Sequence, residues 1–376
     1  MSDHADRWAW AEVDLDAIAA NVELLRTVVA PAGVWAVVKA DGYGHGAAPV
    51  ARTALGAGAG GLCVALTSEA VVLRRAGISP PAPILVLSEQ PADAAPTIVA
   101  NDLTPTVYTA TGIDALAKAS AEAGRVLGVH IKVDTGMHRV GAAPPEIAEL
   151  VARVERSPGL RLDGLFTHLA VADEPLRPDT DGQLARFDAV LAAIPTAPGV
   201  VHAANSAGAL AHPAARRSFV RAGIAVYGIS PGAAVDPLAA GLRPALSLTA
   251  RVSYVKRVAA GEALSYGLRH PLAAEATVAT VPIGYADGVR RNLSGTATPV
   301  LIGGRRRTIV GTITMYQLMV DCGDDEVAVG DEVVLIGAQG GDRIRAEDWA
   351  TTLGTIGYEI VCGIGARVPR RYVGGA

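Results

Sequence analysis

The sequence predicts a two-domain α/β + β protein, with an N-terminal TIM-type (β/α)8 barrel over residues 1–240 and a mainly β domain over 241–376. Three observations predict it. Short apolar runs and helical stretches alternate from Val34 to Arg221 in eight units, the pattern that lets a parallel sheet close on itself. The pattern then changes across a Pro-, Gly- and Ala-rich stretch, Ser230–Pro244, beyond which short strands are separated by Gly and Asp turns. Finally, the chemically distinctive residues of the first half fall at strand ends, where barrels carry their chemistry. An open doubly wound sheet is the alternative, but no Gly-x-Gly-x-x-Gly follows the first strand.

The elements follow in order. Asp14–Val28 places Leu15, Ile18, Ala19, Val22 and Leu25 on one helical face. Val34–Val38 is short and β-branched and reads as a buried strand ending at Lys39. Further strands are expected at Leu62–Leu66, Ile84–Leu87, Thr106–Tyr108, Val126–Val133, Gly164–His168, Val200–Ala204 and Phe219–Arg221. Helices are expected at Ala47–Gly56, Ser68–Ala76, Gly112–Ala123, Pro145–Arg156 and Thr180–Ala193. Ser230–Pro244 reads as a linker. The second domain offers strands at Leu246–Val258, Thr277–Pro282, Val300–Ile302, Thr308–Thr314, Leu318–Val320 and Glu332–Ile336, and a late helix at Glu347–Leu353. Arg305–Arg307 reads as a solvated turn beside Gly303-Gly304.

Composition narrows the function classes. Half of the 376 residues are hydrophobic and 19% are charged, which is a globular balance. A net charge of −4 gives no reason to expect a nucleic-acid or membrane partner. The first ten residues, with Asp3, His4, Asp6 and Arg7, lack a signal-peptide core. Cys63, Cys322 and Cys362 share no metal-like spacing and read as buried thiols of a reduced cytoplasm.

The organising stretch is Val37–Gly46, Val-Val-Lys-Ala-Asp-Gly-Tyr-Gly-His-Gly. Its glycines allow a tight turn and close approach of the backbone to a ligand. Only four of the 33 basic residues are lysines: Lys39, Lys118, Lys132 and Lys256. A lysine kept here, where arginine is the habit, points to a need for an amine that can lose its proton. The other strand ends add Asp134-Thr135-Gly136-Met137-His138-Arg139, His168, Asn205-Ser206 and Arg221-Ala222-Gly223-Ile224. Loops after the last two strands commonly hold phosphate in barrels, and the Ser206 hydroxyl with the N–H groups near Gly223 and Ile224 are suitable donors. Taken singly, His168 could be a core histidine, Ser206 a helix cap and Arg139 a surface charge. Their agreement on one rim favours a site.

These stretches resemble the alanine racemase family, pyridoxal-phosphate enzymes with a barrel and a β domain, and the likeness runs along nearly the whole chain. The resemblance implies that Lys39 binds the cofactor covalently and serves as one base. It implies that Tyr43, Ser206, Gly223, Ile224 and Tyr358 hold the phosphate, with Asn205 beside them. Arg221 would face the pyridine nitrogen, supported by His168, and Arg139 would contact the cofactor phenolate and the substrate carboxylate. The lysine matching Lys132 is often carbamylated in the family and then orients that arginine. Leu264-Ser265-Tyr266-Gly267 matches the catalytic tyrosine motif, so Tyr266 would be the opposite base, contributed by the other subunit of a homodimer. Gly284–Gly288, with Tyr285, matches the substrate entrance.

Two departures bear on the substrate. The family usually has Met-Asp-Gln where this chain has Met315-Tyr316-Gln317, and His138 replaces a usual glycine or asparagine. Tyr316 is expected to point into the pocket, because Met315 and Gln317 keep the register. The leading expectation is therefore racemisation of L- and D-alanine, supplying D-alanine for the cell wall. Alternatives are another small amino acid such as serine, a related enzyme with altered outcome such as decarboxylation, or a cofactor-binding or drug-sequestering protein without turnover.

Overall fold

The computed structural model describes residues 7–375; Asp3, His4 and Asp6, part of the polar N-terminal stretch, lie outside the described residues. The chain forms two compact units, one joining the N-terminal residues up to Ala17 with Pro244 onward, the other Ile18–Arg243.

The second unit is the barrel. Its eight strands are Gly33–Val37, Gly61–Val64, Ile84–Val86, Thr104–Val107, Leu127–Lys132, Leu160–Phe166, Val200–His202 and Phe219–Ala222. The first seven pair in parallel in sequence order, and the eighth pairs in parallel with the first, Trp35 opposite Arg221. The seventh and eighth are stitched by Ser218 N–H to Val201 O and Arg221 N–H to Ala204 O, both 2.9 Å. Outward residues pack under helices: Ile147, Leu150, Val151 and Val154 form the buried face of Ile147–Glu155. Inward residues are unusually aromatic. Trp35 stacks on Phe219 at 4.2 Å and Phe166 on His202 at 4.5 Å.

The first unit is a twisted, mainly antiparallel sheet. Ala9–Asp14, a strand the periodicity did not reveal, pairs antiparallel with Leu246–Arg251 and parallel with Arg370–Val373. Residues 7–17 therefore group with the β unit, not with the barrel. The strand expected over Leu246–Val258 is two strands, Leu246–Arg251 and Tyr254–Val258, with different partners.

Three further expectations need correction. Ser230–Pro244 is not a plain linker: it contains short helical turns, Val235 is fully buried, and Asn21 holds it through Nδ2 to Arg243 O (2.8 Å) and Oδ1 from Arg243 N–H (2.7 Å). Arg305–Arg307 opens the strand Arg305–Val310, where cross-strand pairing and carboxylates at Asp325 and Asp342 hold the three guanidiniums. Cys63 and Cys322 are buried, but Cys362, on the helix Gly357–Cys362, is exposed.

Candidate active site

The turn after the first barrel strand is left-handed. Ala40, Asp41, Gly42, Tyr43 and Gly44 have φ of 52°, 51°, 61°, 51° and 79°. Each non-glycine residue there costs about 1–2 kcal/mol, so the turn must be held from outside. Ala40 N–H reaches Glu69 Oε1 (2.7 Å), and Asp41 Oδ1 accepts from Ala47 N–H (2.8 Å). Glu69 Oε2 takes Ala65 and Leu66 N–H at 2.8 and 3.1 Å, anchoring the turn to the next strand. The result fixes where Lys39 leaves the strand and buries Tyr43 against Tyr227, rings 4.9 Å apart.

Across the rim, Asn205 and Ser206 divide their roles. Asn205 Oδ1 caps the helix Ser206–Ala211 by accepting from Gly208 N–H (2.9 Å). That leaves the Ser206 hydroxyl to accept from Gly223 N–H (2.9 Å) and Ala225 N–H (3.3 Å), with Ile224 between them. A Cβ on Gly223 would lie 2.5 Å from Tyr43 Oη, so only glycine lets the phenol close on this backbone. A hydroxyl, a phenol and converging N–H groups are the donors a phosphate takes.

Inside the barrel the cationic centre is Arg221, 3% exposed. Its Nη2 donates to Thr167 O and Ala203 O, both 2.9 Å, and to His168 Nδ1 at 3.1 Å; its Nη1 donates to His202 Nδ1 at 2.6 Å. A guanidinium only donates, so His202 accepts at Nδ1 and carries its proton on Nε2. That proton points at His130 Nδ1, 2.9 Å away. Burial, then the Arg221 charge, holds His202 well below the usual histidine range. Burial also pushes His130 down to about 4. Burial lowers Arg221 to about 10, which still leaves it protonated at neutral pH.

The rim above is crowded with positive charge. Burial, followed by Arg221, Arg139 and Lys39, lowers Lys132 to about 7. Burial and the same cations, with Lys132, hold His168 well below its ordinary value. Asp134 is the nearby counter-charge. Burial pushes it up, but bonds from Gly136, His138 and Met137 N–H outweigh this and keep it below the usual carboxylate range. His138 itself is in the left-handed region, φ 55°, with Nδ1 3.3 Å from Asp134 Oδ2. Arg139 is exposed beside it.

The remaining predicted residues lie on the β unit, Tyr266, Tyr285, Met315 and Tyr316 on three loops tied to one another and Tyr358 on a helix. Tyr266 stands in the turn Tyr266–Leu268 and is 74% exposed. Tyr285 N–H bonds Thr314 O (3.0 Å) and Ala286 N–H bonds Met315 O (3.1 Å), joining the Tyr285 and Tyr316 loops. Tyr316 lies under Arg367, whose guanidinium is 4.9 Å from the ring centroid and donates to Oη at 3.3 Å. Tyr358 is the second residue of the helix Gly357–Cys362, which the sequence reading missed. His202 and His130 were missed too. His130 and Lys132 alternate along one strand, and that polar alternation on an inward barrel face was the available signal.

A parallel barrel whose strand ends gather a hydroxyl, a phenol, backbone N–H groups, a buried arginine and a rim lysine has the make-up of a barrel enzyme. The comparisons with known proteins narrow this. The description "Alanine racemase, N-terminal domain" matches residues 13–231, and "Alanine racemase, C-terminal domain" matches 245–372. The chain belongs to the alanine racemase family. It is 48% identical to a protein of Symbiobacterium thermophilum named alanine racemase, covering 98% of both chains. It resembles the crystal structure of alanine racemase from E. faecalis, with a TM-score of 0.93 at 39% identity over 99% of this chain and 100% of that one. It also resembles a histidine racemase from Leuconostoc mesenteroides, with a TM-score of 0.91 at 29% identity over 98% and 99% of the two chains.

Proposed function

We infer that this protein interconverts L- and D-alanine with pyridoxal phosphate, by proton transfer between Lys39 on one face of the α-carbon and Tyr266 on the other. The observation that carries the reading is the convergence of Lys39, Lys132, Arg139 and Arg221 around His168. Four cations on one rim suit a ligand bearing phosphate, phenolate and carboxylate charges. When bound, the cofactor withdraws electrons from the α-carbon and eases loss of its proton. Ser206, Gly223, Ile224, Tyr43 and Tyr358 would hold the phosphate, with Asn205 capping the helix behind it. Arg221 would meet the ring nitrogen without giving up a proton, because a guanidinium keeps its charge. Its fixed donation to His202 and two carbonyls keeps it in one orientation. Lys132, lowered to about 7, is partly neutral near pH 7 and so open to carbamylation by carbon dioxide with release of a proton, which would put a negative carbamate in place of one of the four positive charges.

A homodimer sharing its active sites accounts for Lys39 and Tyr266 lying on different units, and for the exposure of Tyr266, Leu268, Tyr285, Met315 and Tyr316. A cytoplasmic location is proposed from cysteines that form no disulfide; among the described residues no helix is long and apolar enough to cross a membrane. D-alanine supply for the cell wall is the expected role. The test is a D/L-alanine assay on the cofactor-loaded protein. No interconversion at full occupancy would sink the reading. A second reading, racemisation of another amino acid such as serine, is favoured by Tyr316 standing where the family has aspartate, and by the structural likeness to a histidine racemase.

A further inference from the structure

The backbone around Tyr266 is among the most strained segments of the chain. Ser265 has φ 62° and ψ −172°, a region that is essentially glycine's alone. Gly267 (φ 80°) and Leu268 (φ 46°) are also left-handed, so three of the four residues Ser265–Leu268 have positive φ. Strain of about 1–3 kcal/mol per such residue persists only where the surroundings over-determine it, and it gathers at functional sites.

The over-determination here comes from Thr312. Ser265 Oγ donates to Thr312 O at 2.7 Å, and Thr312 Oγ1 donates to Tyr266 O at 2.9 Å. The two residues thus close a reciprocal ring, each side chain bonding main chain on the other segment. Gly311, φ 68°, makes room for it: a Cβ there would lie 2.8 Å from Ser265 Cβ and 3.2 Å from Leu264 O. Leu268 N–H to Ser265 O, 3.1 Å, completes the turn. Within its own chain, a tyrosine 74% exposed gets little orientation from packing. Its direction is set by the backbone that carries it.

We propose that Thr312 and Ser265 are positioning residues that hold the strained Ser265–Leu268 turn and so aim the Tyr266 phenol at its proton-transfer position. The proposal rests on Tyr266 being the second base. Thr312→Val removes the hydroxyl at constant shape, and Thr312→Ser keeps it. Amide hydrogen exchange of residues 264–268, followed by mass spectrometry on the cofactor-free and loaded protein, should quicken in Thr312→Val and return to normal in Thr312→Ser. In the loaded enzyme, α-proton exchange of L-alanine should fall roughly 10- to 10²-fold, the scale of a misplacement near 1 Å. Exchange of D-alanine, at the Lys39 face, should hold. Unchanged amide exchange in folded Thr312→Val overturns the clamp. Faster amide exchange with equal loss for both enantiomers, or with none, overturns the positioning role. If wild type exchanges neither enantiomer, the proposed function fails, and the clamp is judged on amide exchange alone. Should Thr312→Val not fold, Ser265→Gly replaces it: glycine accepts the backbone angles but loses the hydroxyl, and the same outcomes decide.

Discussion

The barrel rim and the Tyr266 platform hold their functional residues in opposite ways. At the rim, Arg221 and Lys132 are buried, and the order comes from side chains bonding one another inside the barrel, Arg221 to His202 to His130. On the platform, Tyr266, Tyr285, Met315 and Tyr316 are exposed, and the order comes from main-chain bonds and positive-φ turns behind them. A charged cofactor site needs desolvated, fixed charges, which strengthen with burial. An exposed platform presents its side chains outward, so within the chain its precision has to come from the backbone. The difference teaches where each half is fragile: the rim to loss of one polar partner, the platform to loss of one turn contact.

The largest effect should come from Lys39→Ala at the rim. Borohydride reduction and peptide mapping of wild type should place the pyridoxyl group on Lys39, and the variant should lose both label and racemisation. Label on Lys118 or Lys256 instead would end the assignment. On the platform, Tyr266→Phe should lower α-proton exchange of L-alanine by about 10²–10⁴, the usual worth of a general base. D-alanine should still exchange at Lys39; equal loss for both would contradict a two-face division.

The two regions can be joined in trans. Mixing Lys39→Ala with Tyr266→Phe chains should restore part of the activity, because a mixed dimer holds one intact site. Absence of complementation after confirmed subunit exchange would mean the site is built within one chain.

The buried column gives the barrel a pH signature. His130 is lowered in the folded state, so the unfolded chain binds its proton first as pH falls. Its contribution is complete above the unfolded value near 6.5 and is lost as pH drops towards about 4. The shift corresponds to about 3 kcal/mol from this one group. Urea midpoints measured from pH 7 to pH 4 should fall, and His130→Phe should flatten that fall; parallel profiles would remove the histidine column as the cause.

The smallest effect belongs to Tyr316. Tyr316→Asp would exchange a ring beneath Arg367 for a carboxylate beside it. The alanine-to-serine ratio of kcat/KM should change by a factor worth about 1–3 kcal/mol at most. An unchanged ratio in a folded, loaded variant would turn attention to His138.

Much of this was readable in the chain alone because it is local. Short apolar runs alternating with helical stretches marked all eight barrel strands, and the Lys39 turn advertised itself by its glycines and by a lysine in an arginine-rich sequence. The rest depended on groups far apart in sequence. Nothing local requires Ala40, Asp41 and Tyr43 to be left-handed; Glu69 and the packing of Tyr43 against Tyr227 hold them so. Asn205 and Ser206 are interchangeable as helix caps by residue type, and the position of Gly223 and Ala225 decided which one faced the cradle. Ala9–Asp14 became a strand of the far unit because Leu246–Arg251 and Arg370–Val373 offered it partners. Ser265 keeps a glycine conformation because Thr312, 47 residues on, bonds across it. Local sequence sets which elements form; contacts between distant segments set the strain, the proton positions and the division of roles, since each needs a partner that only the folded chain brings near.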